Sequence, residues 1–322
     1  MTAREPACKD MNTLLVHIGY PKALSTWLQT CLFKPELGYQ LVGGASMVIR
    51  GLRAPAPFCF DGARARAFVD KHMDKTGPGM VPVISAEHIS GNPERGGFDA
   101  EMLAHRLQQA CPGAKILIIV RNQSDMIRSL YSGLIRTGGM PYSIERMLTP
   151  VASTVTPQFN LDYLRYDALV SYYQQLFGPE SVLVLPYEMF ISQAEEFISR
   201  INAFSQNQIQ RPKPLPVNLR INRRTSLLSL ALIRIANRYL FRNGFDDRGW
   251  LNDEGEALWR RVRIAHQLDK LFARMTPDAL DRHLENRFRL RVEKITGNTF
   301  EQSNQRLEQL TGLSLAKYGY RV

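Results

Sequence analysis

The chain has 322 residues, 44% of them hydrophobic, and carries a formal net charge of +11 at pH 7. That length suits one large α/β domain or two small ones, and no stretch approaches the ~20 apolar residues that a membrane helix needs. The start, Met1 to Asn12, lacks the apolar centre of a secretory signal, and Cys8, Cys31, Cys59 and Cys111 are scattered without a CxxC pair, so a cytoplasmic protein with idle thiols, no disulfide framework and no structural zinc is expected.

In chain order, Thr13–Ile18 reads as a buried strand and Ser25–Phe33 as a helix opening directly behind it. Val81–Ser85 is a second strand, and Asp99–Ala110 an amphipathic helix with Asp99 as its N-cap. Ala114–Val120 is nearly continuous in aliphatics, as a strand covered on both faces should be. Helices follow over about Ser124–Arg136 and Asp162–Phe177, then a strand over Ser181–Leu185 and a helix over Ser192–Phe204. Strands alternating with helices imply an α/β fold: a P-loop-like parallel sheet flanked by helices. The composition changes at Arg211–Pro216, which reads as an extended connector. Beyond it Leu258, Val262, Ala265, Leu268, Phe272 and Met275 recur at helical spacing, and Ser303–Tyr320 reads as a short helix, a Gly312 stop and a tail. The expected division is a nucleotide-binding core over 1–210 and a mostly helical C-terminal extension over 211–322.

The basic surplus favours an anionic partner. Between Phe197 and Phe245 lie Arg200, Arg211, Lys213, Arg220, Arg223, Arg224, Arg234, Arg238 and Arg242, with no Asp or Glu among them. This stretch is either a solvated face or one wall of an anion-binding cleft. Nucleic acid is disfavoured as the partner, because no zinc-finger or RNP-like motif accompanies the charge.

Ligands in open α/β sheets sit beyond the carboxyl ends of the strands. At the first such end the chain reads Gly19-Tyr20-Pro21-Lys22-Ala23-Leu24-Ser25-Thr26-Trp27-Leu28-Gln29. A helix N-terminus offers free N–H groups, Ser25 and Thr26 add hydroxyls, and Lys22 adds a mobile cation. This is not a Walker A loop, in which the lysine directly precedes the hydroxyl residue. The segment PKALSTWL instead resembles the 5′-phosphosulfate loop, commonly PKxGTTxL, of sulfotransferases that use 3′-phosphoadenosine 5′-phosphosulfate (PAPS). The lead-in His17-Ile18-Gly19 and the trailing Gln29 are similar to bacterial members of that family. Leu24 replaces the usual glycine, which limits positive-φ conformations and close approach to a phosphate.

The clearest strand runs into Arg121-Asn122-Gln123-Ser124-Asp125, with Ser129 and Tyr131 further on. RNQSDMIRSLY resembles the family's 3′-phosphate signature, RNPxDxxxSxY. An arginine fork suits phosphate oxygens, and Ser129 can set a hydroxyl beside it; an Arg121–Asp125 pair is the competing arrangement. Gln123 stands where the signature has a proline, a position that tolerates one because it lies in the first helical turn. Pro186-Tyr187-Glu188 resembles a recurrent step after the following strand, expected to be structural.

The resemblance implies sulfuryl transfer from PAPS to an acceptor hydroxyl, with no metal. Lys22, Ser25 and Thr26 are expected at the 5′-phosphate, Arg121 and Ser129 at the 3′-phosphate, and Arg223 and Arg224 as a late basic loop over the latter. Trp27 is expected either to stack on adenine or to pack in the core. The strand end Ser85-Ala86-Glu87-His88 supplies the base, Glu87 before His88, because it resembles the carbohydrate-directed bacterial branch; a salt bridge from Glu87 to Lys22 or Arg121 competes. A sugar or glycan is the expected acceptor. A P-loop-type nucleotide kinase and a catalytically degenerate nucleotide-binding protein are the alternatives.

Overall fold

The computed structural model describes residues 13–137, 139–149, 158–209, 215, 225–240 and 277–322. The strands are β1 (Leu15–His17), β2 (Tyr39–Gly43), β3 (Val81–Ser85), β4 (Lys115–Val120) and β5 (Val182–Pro186). They form one parallel sheet in the order β2-β3-β1-β4-β5. Leu15 stands opposite Val83 on one side and Lys115 on the other, and Ile116 stands opposite Val182. The chain thus leaves β1 to build one half of the sheet and crosses back to build the other. This puts the topological switch point at the carboxyl ends of β1 and β4, where such sheets form their ligand crevice.

Helices follow the strands as the sequence pattern requires. They are α1 (Ser25–Trp27, continued as a π-helical turn over Leu28–Leu32), α2 (Ala45–Val48), α3 (Gly62–Met73), α4 (Ala100–Ala110), α5 (Gln123–Thr137), α6 (Ile144–Leu148), α7 (Tyr166–Phe177), α8 (Tyr187–Ser192) and α9 (Ala194–Ser205). After the sheet come α10 (Leu227–Leu240), α11 (Asp278–Thr296) and α12 (Glu301–Thr311). Helices α7 and α9 both pack on β4 and β5, which explains why Ile116 to Val120 are all fully buried. Phe197, Ile198 and Ile201 of α9 and Val170 and Tyr173 of α7 supply the covering apolar faces. Helix α10 packs on α5, and α11 on α5, α6 and α10, while α12 lies against α7. Among the described residues no helix is long and apolar enough to cross a membrane.

Some expectations change. Strand β2 escaped the sequence reading because it is a short edge strand whose residues are mostly half-exposed. Asp99 occupies the N-cap position of α4 without capping it: its carboxylate accepts the Asn92 N–H at 2.8 Å and pairs with Arg53 at 3.0 Å. The helix expected over Ser192–Phe204 is broken at Gln193, a non-helical residue that separates α8 from α9. The first part of the expected Asp162–Phe177 helix is a separate 3-10 turn over Leu161–Leu164. Gly312 ends α12 in the left-handed region, as its position predicted. The 211–216 connector, apart from Leu215, and the periodic stripe from Leu258 to Met275 lie outside the described residues.

Candidate active site

The loop between β1 and α1 is bent by two left-handed residues, Lys22 at φ 67° and Leu24 at φ 69°. Each non-glycine residue held there costs about 1–2 kcal/mol. Leu24 therefore adopts the conformation a glycine would supply, at an energetic cost the surroundings sustain. Tyr20 anchors the loop from below, packed edge-on against Tyr163 and Tyr166 with ring centres 5.2 and 4.8 Å away. Gly19 is required for a different reason: a Cβ there would stand 2.6 Å from the His17 ring and 2.9 Å from Ser25 Oγ. Ser25 Oγ is buried and has no hydrogen-bond partner. Thr26 is exposed at the start of the helix.

Beneath the loop lies a polar layer that motif reading noted only as resemblance. His17 Nδ1 is 2.8 Å from Ser85 Oγ, and Gln29 Nε2 donates to both Ser85 O and Ser85 Oγ at 3.1 Å. These contacts tie β1, α1 and β3 together. Burial lowers the His17 pKa to about 3, so the ring is neutral.

At the end of β4, Arg121 turns back toward the loop. Its Nη1 donates to the Lys22 carbonyl at 3.0 Å, its guanidinium lies over the Tyr187 ring at 4.7 Å, and its Nε is buried without a partner. Among the ion pairs of the described residues, none joins Arg121 to Asp125. The Arg121 carbonyl accepts from Tyr166 Oη at 2.7 Å. The next residue is clamped too: Asn122 N–H donates to Glu188 Oε1 at 2.9 Å, and Tyr320 Oη donates to Glu188 Oε2 at 3.0 Å. The Tyr187-Glu188 step is thereby explained, with Tyr187 a platform for Arg121 and Glu188 a clamp on the strand end. Burial raises the Glu188 pKa against the opposing effect of these hydrogen bonds. The tail completes the brace. Asn122 Nδ2 donates to Gly319 O, Gln123 Nε2 to Asn304 Oδ1, and Asn304 Nδ2 to Arg321 O. Gln123 opens α5, and its amide does there what a proline cannot, joining α5 to α12.

Lys22 is exposed and has no ion pair among the described residues. Its stem lies against α5 at Gly133, one turn beyond Ser129 on the same helix face. Glu87 is half-buried and forms no ion pair with Lys22 or Arg121. His88 has φ 68° and a buried, unpartnered Nδ1. Its pKa is lowered, first by burial, while Glu87 opposes the shift and Arg53 and Lys22 add to it. Arg53, which no motif flagged, holds this strand end by donating to the His88 carbonyl at 2.8 Å while paired to Asp99.

Of the two roles expected for Trp27, the structure shows core packing: it is buried, with its ring centre 4.5 Å from that of Phe190. Arg223 and Arg224 lie outside the described residues. The neighbouring Thr225 is held to α5, its carbonyl accepting from Arg128 Nη2 at 2.7 Å. Arg128 also pairs with Glu285 of α11 at 2.7 Å. Among the described residues no cluster of three or more His, Cys, Asp or Glu is arranged to hold a metal ion.

The chain is similar to the crystal structure of a sulfotransferase from Alicyclobacillus acidocaldarius at 17% identity and a TM-score of 0.44, over 71% of this chain and 94% of that one. It is also similar to mouse sulfotransferase SULT7A1 complexed with PAP, at 13% identity and a TM-score of 0.35, over 80% of this chain and 89% of that one. No curated protein matches in sequence. Residues 100–209 match the model of the sulfotransferase family, a segment that contains Arg121, Ser129, Tyr187 and Glu188.

Proposed function

We propose that the chain is a sulfotransferase that takes a sulfuryl group from PAPS and delivers it to an acceptor hydroxyl on a carbohydrate or glycoconjugate. The observation that carries this reading is the junction of two cationic strand ends at the switch point, where Arg121 is bonded to the backbone of Lys22 at 3.0 Å. A nucleotide with a phosphate at each end of its ribose needs two such sites side by side. The match of residues 100–209 to the sulfotransferase family supports the same reading.

The residues present fit the donor. Ser25 Oγ and Arg121 Nε are buried polar groups lacking partners, a costly state that an anionic oxygen would relieve. In this reading Lys22, Ser25 and Thr26 hold the 5′-phosphate, and Arg121 and Ser129 the 3′-phosphate, with Arg223 and Arg224 closing over it. Residues 1–210 supply the core, and 211–322 complete the donor site and the acceptor cleft. The donor supplies an activated sulfur: a bond from sulfur to the acceptor oxygen forms, the bond to the 5′-phosphate oxygen breaks, and PAP leaves. Lys22 neutralises the charge gathering on that phosphate. Glu87, unpaired with either cation, takes the acceptor proton; His88, kept neutral by burial, is the second candidate. Catalysis here is positioning and charge stabilisation, as in phosphoryl transfer, and positioning alone supplies ~7–11 kcal/mol of the barrier. The carbohydrate acceptor rests on the resemblance of the Ser85–His88 strand end.

Calorimetric titration with PAP, using ADP and ATP–magnesium as controls, tests the assignment. PAP-selective binding that weakens in Arg121→Ala is expected. Tighter binding of ATP–magnesium, or no binding of PAP, would refute it in favour of a kinase or a degenerate fold.

A further inference from the structure

Gly133 sits inside α5, a 15-residue helix, where glycine costs about 1 kcal/mol relative to alanine. Left-handed geometry is not the reason, since Gly133 is not among the positive-φ residues. The reason is space. A Cβ at 133 would meet Lys22 Cε at 3.1 Å and Lys22 Nζ at 3.7 Å. The glycine is thus a notch in the helix, and the lysine stem lies in it.

Two further observations show where the exposed Lys22 side chain starts. Its backbone is in the left-handed region at φ 67°, and its carbonyl is pinned by Arg121 Nη1. A long, flexible side chain ordinarily samples many rotamers. Here it starts from a fixed backbone and its end meets α5 at Gly133, one turn from Ser129 on the same helix face. A methyl group in the notch would push the stem outward, because α5 is itself anchored by Gln123 at its start and by the buried Arg128 in its middle.

We propose that Gly133 is a positioning residue for Lys22: the notch fixes where the ammonium stands between the loop and α5, and so how well it meets the leaving phosphate. This rests on the donor site proposed above. Gly133 need touch no substrate; it acts through Lys22.

The test compares wild type with Gly133→Ala, Lys22→Ala and the double variant. Three quantities are read: the melting temperature, the rate at which Lys22 is acetylated by acetic anhydride (followed by mass spectrometry), and the turnover of PAPS to PAP with methyl β-glucoside or water as acceptor. In Gly133→Ala the melting temperature should hold or rise, since alanine is the better helix former. Lys22 acetylation should change at least threefold. Turnover should fall roughly threefold or more, since the contact asks the stem to shift by a few tenths of an ångström, and the double variant should be no worse than Lys22→Ala. Unchanged acetylation and turnover would overturn the proposal, and so would an equal further loss in the Lys22→Ala background. If wild type fails to bind PAP, the donor reading falls, and acetylation alone then decides: a changed rate upholds the notch and an unchanged rate refutes it.

Discussion

The side chain of Arg121 donates to the carbonyl of Lys22 across 3.0 Å, joining residues 99 positions apart at the ends of neighbouring strands. One cation therefore holds the backbone from which the other projects. Arg121→Lys keeps the charge but loses the fork and the flat face that lies over Tyr187. A charge-assisted hydrogen bond contributes about 1.5–3 kcal/mol, so PAP affinity should drop ~10-fold or more in calorimetry. An affinity within twofold of wild type would show that charge alone suffices at this position.

Glu87 and His88 compete for one role, and their variants should separate them. Loss of a general base costs typically ~10²–10⁴ in rate. Glu87→Gln should lower kcat on that scale while leaving PAP binding intact, and His88→Gln should cost less. The reverse order in steady-state kinetics would transfer the role to His88.

His17 gives the fold a pH dependence with a definite sign. Its folded pKa lies near 3, below the ordinary 6.5, so the unfolded chain binds the proton more tightly. Stability is therefore fully present above pH 6.5 and is lost as pH falls from there toward 3, on the order of 5 kcal/mol in all. Urea unfolding at a series of pH values should show this slope in wild type and a flatter one in His17→Gln. Parallel slopes would mean that other groups govern acid sensitivity.

The pair between Arg128 and Glu285 predicts an asymmetric response. Arg128 is 3% exposed and Glu285 19%. Glu285→Ala strands a guanidinium away from water and should cost about 3–5 kcal/mol. Arg128→Met leaves a carboxylate that still reaches solvent and should cost less. Urea denaturation of both variants checks the order.

What could be read from sequence was what local pattern encodes. β4 announces itself as six residues of which five are aliphatic; Arg121 stood out because it follows that strand directly, and Lys22 because it lies in the short loop between β1 and α1. Ser25 and Thr26 opened a helix as expected. The rest depends on residues far apart in the chain. Nothing local to Arg53 reveals that it holds the His88 carbonyl, nor does Tyr320 disclose Glu188 as its partner. Gly133 reads as a weak point in a helix until Lys22 is seen lying across it. Trp27 could not be assigned from pattern, since an aromatic at a helix start serves a core and a ligand equally well; only the nearness of Phe190 decides it.

Glu188 receives a hydroxyl from Tyr320 and an N–H from Asn122, so the strand end bearing Arg121 is completed by residues synthesised almost two hundred positions later. During translation all five strands have been made once β5 emerges. The clamp at the end of β4 is not yet complete. A ribosome-bound chain that has emerged through residue 311 holds every strand and the loop lysine, yet Asn122 and Glu188 still await their last partners. That strand end therefore reaches its folded arrangement only after Gly319 and Tyr320 have docked on it.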